Sequence, residues 1–177
     1  MSPTVPSTAA SLAAVLARDL RTLRREVEAY PDERDLWRTP PGITNSAGTL
    51  VLHLAGNLQH FIGATLGGSG YTRDRDYEFA ARDLPRAELL ARIDATIAAV
   101  EQGMGRLTDQ DLAKRYALPV GGVTLTTGDF LLHLATHLTW HLGQLDYHRR
   151  VVTGQGSAPQ IRAVLPMELA SAVPAPK

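Results

Sequence analysis

Four of the six histidines of this chain fall within sixteen residues, as His133, His137, His141 and His148. Each residue of an α-helix advances by about 100°, so the last three project at about 40°, 80° and 60° from His133. All four imidazoles therefore share one face of one predicted helix. Side chains four residues apart have Cβ atoms about 5–6 Å apart, which allows two imidazoles to bind one divalent ion. Imidazole suits zinc, copper, iron and nickel.

Histidines on an apolar face also occur as core residues with both ring nitrogens hydrogen-bonded. A buried imidazole is costly unless it finds such partners. Four of them on one face would need an ion, carboxylates or a water-filled pocket to be satisfied. The stripe therefore favours a functional site over simple packing.

Composition sets the class of protein and excludes several functions. The chain has 177 residues, of which 44% are hydrophobic and 20% charged, as expected for a single globular domain over 1–177. Its 18 basic and 18 acidic side chains cancel, which disfavours nucleic acid or a membrane surface as partner. The absence of cysteine excludes disulfides, thiolate ligands and a cysteine nucleophile. Without a signal-peptide or membrane-spanning pattern, we expect a cytoplasmic location.

Apolar residues recur at steps of three and four in four segments, which predicts four amphipathic helices over 7–29, 45–66, 83–104 and 126–152. Asn45 or Ser46 would cap the second helix, Asp83 the third with Pro85 in its first turn, and Gly154 would end the fourth. The long charged loop 71–82 separates the second and third helices. The Gly121-Gly122 turn forms either a small hairpin or an irregular loop. An irregular tail begins at about residue 155, and its apolar piece 161–165 is expected to cover the bundle or a partner subunit.

These elements predict an all-α protein with a four-helix bundle, in which metal sites are built from facing helices. The fourth helix offers His137 and His141 as ligands. His53 is the natural third ligand because it lies near the middle of the second helix on its buried side. His60 is expected at the surface. His133 is expected to support a ligand or line a pocket, although direct ligation stays open.

Other polar residues near these histidines are candidates for supporting roles. Asn57 and Gln144 each lie one turn from a candidate ligand and could orient it or bind water. Gly143 is expected to permit close helix approach. His148 is expected in the core or facing a partner subunit.

Two carboxylates are candidates for catalysis. Glu78 could reach the site if its loop folds over the end of the bundle, although a solvated loop carboxylate is the more ordinary expectation. Asp129 lies one turn before His133 and could orient it, or it could serve only in the first turn of the helix.

Three segments resemble the DinB-like, YfiT-like superfamily of metal-dependent enzymes. They are Asn45-Ser46 followed by Leu52-His53-Leu54-Ala55-Gly56-Asn57-Leu58, the Tyr77-Glu78-Phe79 segment, and His137-Leu-Thr-Trp-His141-Leu-Gly143-Gln144-Leu. The third is the most specific, and the resemblance extends over about 12–150.

The resemblance implies a four-helix bundle with up-down-down-up topology, often dimeric. It also implies a three-histidine centre for zinc or nickel, with His53, His137 and His141 as ligands. Relatives of known activity include thiol S-transferases that use bacillithiol- or mycothiol-type cofactors, and a mycothiol-dependent isomerase.

Three hypotheses follow. The first is a metal-dependent hydrolase or thiol S-transferase that activates water or a small thiol. A protein without cysteine could run thiol chemistry because the thiol would come from a low-molecular-weight molecule. The second is a non-catalytic metal- or small-ligand-binding protein of the stress response. The third is a purely structural role, in which the histidines stabilise a helical dimer without metal.

Overall fold

The structure is a computed structural model that describes residues 5–156 and 169–172, so the apolar tail piece 161–165 lies outside the described residues. In the described part the chain is helical, with two isolated β-bridges and no strand. The α-helices are α1 (Thr8–Glu28), α2 (Ala47–Leu58), α3 (Arg75–Ala80), α4 (Arg86–Met104), α5 (Asp109–Leu112) and α6 (Thr127–Thr153). A 3₁₀ turn covers Glu33–Trp37 and a π-helical turn covers Gln59–Ala64.

Helices α1, α2, α4 and α6 form a four-helix bundle, and side-chain contacts give the direction of each helix. Two helices are parallel when the residue numbers of successive contacts rise along both of them. They are antiparallel when the numbers rise along one helix and fall along the other. The pairs are Asp19–Thr139 and Glu26–Arg149 for α1 with α6, Arg24–Asp94 and Arg21–Glu101 for α1 with α4, and Gln59–Thr96 and Ile62–Gly103 for the π-helical turn after α2 with α4. The first and third pairings are parallel and the second is antiparallel, so the bundle runs up-down-down-up, as the resemblance implied.

The first helix shows the predicted amphipathic pattern. Ser7 caps α1 by accepting a hydrogen bond from the Ala10 backbone N–H, a contribution of about 1 kcal/mol. Leu16, Leu20 and Val27 recur on its inner face and are fully buried.

The second helix differs from the prediction because all of its residues are buried. It lies in the interior, where it contacts α3, α4, α6 and the 3₁₀ turn. A helix surrounded on every side requires small or apolar residues throughout, as in Val51-Leu52-His53-Leu54-Ala55-Gly56. His53 and Asn57 are the polar exceptions near its centre, and both are more than nine-tenths buried.

The predicted second helix does not continue as an α-helix to residue 66. After Leu58 it passes into the π-helical turn, and the Thr65 N–H bonds to the His60 carbonyl oxygen at 3.1 Å. This turn packs closely on α4, since a Cβ atom on Gly103 would lie 2.8 Å from the Ile62 carbonyl oxygen. Single π turns often occur beside functional sites.

The structure also resolves three other local features that the sequence had left open or placed differently. Asp83 does not cap the third predicted helix; it has a φ of 57°, and α4 begins at Arg86 after Pro85. The charged loop 71–82 contains α3, whose six residues are too few to show a helical period. The Gly121-Gly122 turn forms a single antiparallel bridge between Val120 and Val123.

The last helix matches its predicted bounds closely. Thr126 caps α6 by accepting from the Asp129 N–H, and Gly154 ends it with a φ of 68°. No helix in the described ranges is long and apolar enough to cross a bilayer.

Candidate metal centre

Three histidines from two facing helices meet near the middle of the bundle. His53 comes from α2, and His137 and His141 lie one turn apart on α6. The His137 Nε2 atom is 3.3 Å from His53 Nε2 and 3.1 Å from His141 Nε2. We call these three residues the histidine trio. They form a group whose ligand atoms all lie within 4.8 Å of one another.

The spacing of the three nitrogens fits one tetrahedral ion. Two nitrogens that each lie about 2.0–2.1 Å from a zinc ion at the tetrahedral angle are about 3.3–3.4 Å apart. The observed separations of 3.3 Å and 3.1 Å are close to that value. The residues present therefore fit a divalent ion bound through three Nε2 atoms.

Hydrogen bonds on the far side of two rings determine which nitrogen carries the proton. His53 Nδ1 lies 3.2 Å from Glu78 Oε2, and His141 Nδ1 lies 2.7 Å from Gln144 Oε1. A carboxylate or amide oxygen can only accept, so both Nδ1 atoms donate and both Nε2 atoms present lone pairs to His137. His137 Nε2 can donate to only one of them, whereas a cation would accept from all three.

The Glu78 carboxylate supports the trio from behind His53. It is 3% exposed, and Arg73 holds it with two hydrogen bonds of 2.7 Å, from Nε to Oε1 and from Nη2 to Oε2. Arg73 Nη2 also lies 3.4 Å from His53 Nδ1. The expectation that Glu78 is a solvated loop carboxylate is therefore wrong, because α3 carries it onto α2.

Glycine at position 56 makes room for this carboxylate. A Cβ atom on Gly56 would lie 2.0 Å from Glu78 Oε1. Gly143 shows the opposite situation, since nothing in the described structure lies within 4 Å of where its Cβ would be. The predicted role of Gly143 in close helix approach is therefore wrong for the described residues, whereas Gly56 makes room for the Glu78 side chain.

The electrostatics of the site favour uncharged imidazoles at His137 and His141. Burial, together with the neighbouring imidazoles, lowers the pKa of His137 to about 4. Burial also lowers the pKa of His141, although the bond to Gln144 opposes this. Burial would raise the pKa of Glu78, but the hydrogen bonds from Arg73 and His53 outweigh it and lower that pKa. Neutral rings backed by an ionised carboxylate are the state that a metal ion requires.

The other candidate residues lie outside the trio. His133 is exposed, and its ring stacks on the ring of His137 at a centroid distance of 5.9 Å. Asn57 Oδ1 is buried without a hydrogen-bond partner among the described residues, so this oxygen holds none of the three rings, and its predicted water-binding role stays a prediction. His60 is half-buried against Phe61, with ring centroids 4.8 Å apart, rather than at the surface. Asp129 is exposed in the first turn of α6.

His148 lies in the core and not in the trio. It is 3% exposed, with Nδ1 2.8 Å from the Tyr30 hydroxyl and Nε2 2.8 Å from the Arg38 carbonyl oxygen. Both nitrogens are satisfied, so this histidine packs α6 against the N-terminal part of the chain.

Sequence reasoning missed two residues that shape the site. Arg73 was part of a charged loop with no assigned role, and Phe79 places its ring 5.1 Å from that of His53. The available signal was the Tyr77-Glu78-Phe79 segment in a loop close in sequence to His53. Its significance depended on α3, whose existence the pattern did not predict.

The comparison with known families agrees with this geometry. The sequence profile of the DinB superfamily matches residues 15–145, which is most of the chain and includes all three histidines. The chain belongs to the DinB superfamily. No curated protein matches the chain. Membership of this superfamily and the histidine trio are together compatible with a metal-binding protein.

Proposed function

We propose that this DinB-superfamily protein is a metalloenzyme that binds one divalent ion, zinc or nickel, through His53, His137 and His141. The convergence of the three histidines carries the proposal: His137 Nε2 lies 3.3 Å from His53 Nε2 and 3.1 Å from His141 Nε2, and all three ligand atoms lie within 4.8 Å of one another. Imidazole ligation suits both ions. Three ligands rather than four are typical of catalytic zinc sites, which keep a position for water or substrate.

The ion would supply an open position at which the pKa of water or a thiol falls towards neutrality. The three imidazoles are neutral, so they leave the charge of the ion uncompensated. Glu78 and Arg73 carry opposite charges and offset one another beside it. The site thus keeps a positive field that favours an anionic nucleophile.

The residues of the chain position this centre. Glu78 holds the His53 ring through Nδ1, and Gln144 holds the His141 ring in the same way. Such outer hydrogen bonds fix the ring orientation and raise the basicity of the ligand nitrogen. Arg73 keeps Glu78 ionised and in place.

The reaction class that fits is attack by water or a small thiol on an electrophilic small molecule. The nucleophile gives up its proton to solvent water, its oxygen or sulfur bonds to the electrophilic atom, and the bond to the leaving group breaks so that this group departs with the electron pair. The chain has no cysteine, so a thiol would have to come from a low-molecular-weight molecule. A hydrolase uses water in this step, and a thiol S-transferase uses the thiol.

One observation favours the second candidate, a non-catalytic metal- or ligand-binding protein. Within the described ranges, Glu78 is the carboxylate hydrogen-bonded to the trio, and both of its oxygens are already bonded to Arg73. A carboxylate held in this way is a poor general base, because accepting a proton would break an ion pair.

Metal content tests the proposed site. Elemental analysis of dialysed protein should find about one ion of zinc or nickel per chain, and none in the His137→Ala/His141→Ala double variant. His133→Ala is the matched control, since that exposed imidazole stacks on the trio without joining it. Equal metal in the double variant, or no metal anywhere with no rise in melting temperature on adding zinc or nickel, would overturn the site.

Turnover separates the enzyme from the binder. The loaded protein should accelerate either hydrolysis of an activated ester or thiol transfer to a chloro-dinitrobenzene. The double variant should lose that acceleration. A rate equal in both proteins, with metal bound only in the wild type, would favour the binding protein.

We also propose a homodimer formed through the N-terminal half of α6. Leu132 and Trp140 are 56% and 70% exposed and lie two turns apart on one face, with Thr136 between them. Aligned exposed apolar side chains mark interaction surfaces, and a formal net charge of zero does not oppose self-association. Sedimentation should show that the wild type is a dimer and that Trp140→Glu dissociates it. Val123→Glu, at another exposed apolar position, should leave the dimer intact. A monomeric wild type would contradict the proposed dimer.

A further inference from the structure

A second feature beside the trio is a pocket of about 430 Å³ between α2, α6 and the segment before α2. Ile43, Leu50, Tyr147 and Val151 supply most of its apolar wall. Its volume falls within the range of small-molecule sites, about 300–1,000 Å³.

The pocket begins one helical turn from the trio on both helices. Leu50 precedes His53 by three residues on α2, and Gln144 follows His141 by three residues on α6. These helices are antiparallel, so both steps lead in the same direction along the bundle. Three residues of α-helix rise about 4.5 Å, so the pocket wall lies directly next to the ligand residues.

Gln144 belongs to both the pocket and the trio. Its Oε1 accepts from His141 Nδ1, and its side chain lines the pocket. The oxygen is occupied, so the amide NH₂ is the group that can donate to a pocket ligand. A molecule held there would contact the same side chain that orients a metal ligand.

The chemistry of the pocket wall selects against charge. Among the described residues, those that line it include no aspartate, glutamate, lysine or arginine. His148 also lines it, but both of its nitrogens are bonded to Tyr30 and Arg38. A carboxylate, phosphate or ammonium group would therefore meet no opposite charge among the described side chains that line the pocket.

Asn45 adds a second amide to the pocket. Ser46, not Asn45, caps α2 by accepting from the Thr49 N–H. The amide of Asn45 therefore serves no capping role, and it lines the pocket instead. Two amides on an apolar wall can orient an uncharged group by hydrogen bonds.

We propose that this pocket is a substrate subsite that binds the uncharged, mainly apolar group of the molecule that reacts at the trio. The proposal rests on the metalloenzyme function above and specifies its substrate class. The reacting atom would lie at the trio, and the apolar group would extend one turn along the α2–α6 interface. Gln144 and Asn45 would supply the polar contacts.

A matched pair of fluorescent probes tests the charge selectivity. N-phenyl-1-naphthylamine is uncharged, and 8-anilino-1-naphthalenesulfonate carries a sulfonate on the same ring system. We expect the uncharged probe to bind zinc-loaded protein at least about tenfold more tightly, because the sulfonate would be buried without a partner. Equal or tighter binding of the sulfonate would overturn the proposal.

A matched pair of variants locates the binding. Val151 is 60% exposed at the pocket, and Val123 is 55% exposed outside both the pocket and the proposed dimer surface. Val151→Asp should weaken binding of the uncharged probe about tenfold or more, and Val123→Asp should not. Unchanged binding in Val151→Asp, or an equal loss in both variants, would show that the probe is not in the pocket.

Metal content measured on the same samples separates the two proposals. Val151 is not a ligand, so all three proteins should hold the same amount of zinc. Loss of probe binding with zinc retained supports the subsite. No zinc in any protein would overturn the metal function, and with it the subsite, whatever the probe shows.

Discussion

The buried histidines of α6 occupy two different environments. His148 donates from Nε2 to the Arg38 carbonyl oxygen and accepts from the Tyr30 hydroxyl at Nδ1, each at 2.8 Å. His137 instead directs Nε2 at two other imidazole nitrogens, and its Nδ1 has no hydrogen-bond partner among the described residues. The same residue type on one helix is thus saturated in one place and unsatisfied in the other.

Burial alone therefore does not mark a histidine as a metal ligand. Burial lowers the pKa of both His137 and His148, so both rings are uncharged near neutral pH. What distinguishes them is the direction of the free lone pairs. His148 has none to spare, whereas the trio directs three nitrogens at one point that a cation can fill.

The largest expected effect is the difference in zinc affinity between substitutions at His137 and at His148. His137→Ala should lower zinc affinity by more than about a hundredfold, beyond the 10–100-fold typical of losing only an outer hydrogen bond. His148→Gln should leave the affinity within about threefold, because its bonds end on Tyr30 and Arg38. Titration with a competing chelator measures both. Similar losses in the two variants would break the distinction.

The next effect compares the two groups that hold the trio from outside. Glu78→Ala should lower zinc affinity about 10–100-fold, since it removes a buried charged acceptor and leaves Arg73 unpaired. Gln144→Ala should cost less, because its amide is neutral and exposed. The same chelator titration ranks the two variants. The reverse order would assign the main support to α6 rather than α3.

A smaller effect concerns the space that Glu78 occupies. Gly56→Ala should lower the free energy of unfolding by about 1–3 kcal/mol, the usual cost of overpacking, because its Cβ would clash with Glu78 Oε1. Gly143→Ala is the control, and it should raise stability by about 0.5–1 kcal/mol as a glycine replaced in an open helix position. Urea unfolding measures both. Equal stability changes would show that Glu78 can move aside freely.

The smallest effect is the pH dependence that His148 contributes. Burial places its pKa in the folded state below the ordinary 6.5, so the unfolded chain binds more protons as pH falls past that value. Its contribution to stability is therefore present above pH 6.5 and is lost as pH falls towards the folded-state pKa. Urea unfolding between about pH 7.5 and about pH 5.5 should show a shallower pH dependence in His148→Gln than in the wild type. Both proteins contain the trio, so its contribution to the pH dependence is the same in each. An equal pH dependence of the unfolding free energy in the two proteins would contradict the role given to His148.

Much of the fold and part of the site could be predicted because they depend on local geometry. The spacing of His137 and His141 puts them on one helix face in any environment, and Thr126 and Gly154 mark the ends of α6 by capping chemistry. The position of His53 within the second helix was sufficient to select it over His60. Asn57 has the same spacing from His53 as His141 has from His137, yet its oxygen makes no bond in the described structure. Spacing alone therefore does not show which neighbour of a ligand holds its ring in place.

The four long helices, the end of α6 at Gly154 and the line of histidines on α6 could be predicted from the sequence, because they follow from the 3.6-residue period and from local capping. Three features depend instead on how the helices pack: α2 is wholly buried, α3 carries Glu78 and Arg73 onto His53, and Gly56 leaves room for the Glu78 carboxylate. These features depend on contacts between segments distant along the chain or on the packing around α3. Contacts with other segments also decide the state of each histidine. Tyr30 and Arg38 satisfy both nitrogens of His148, whereas His53 and His141 leave the Nε2 atom of His137 facing other lone pairs.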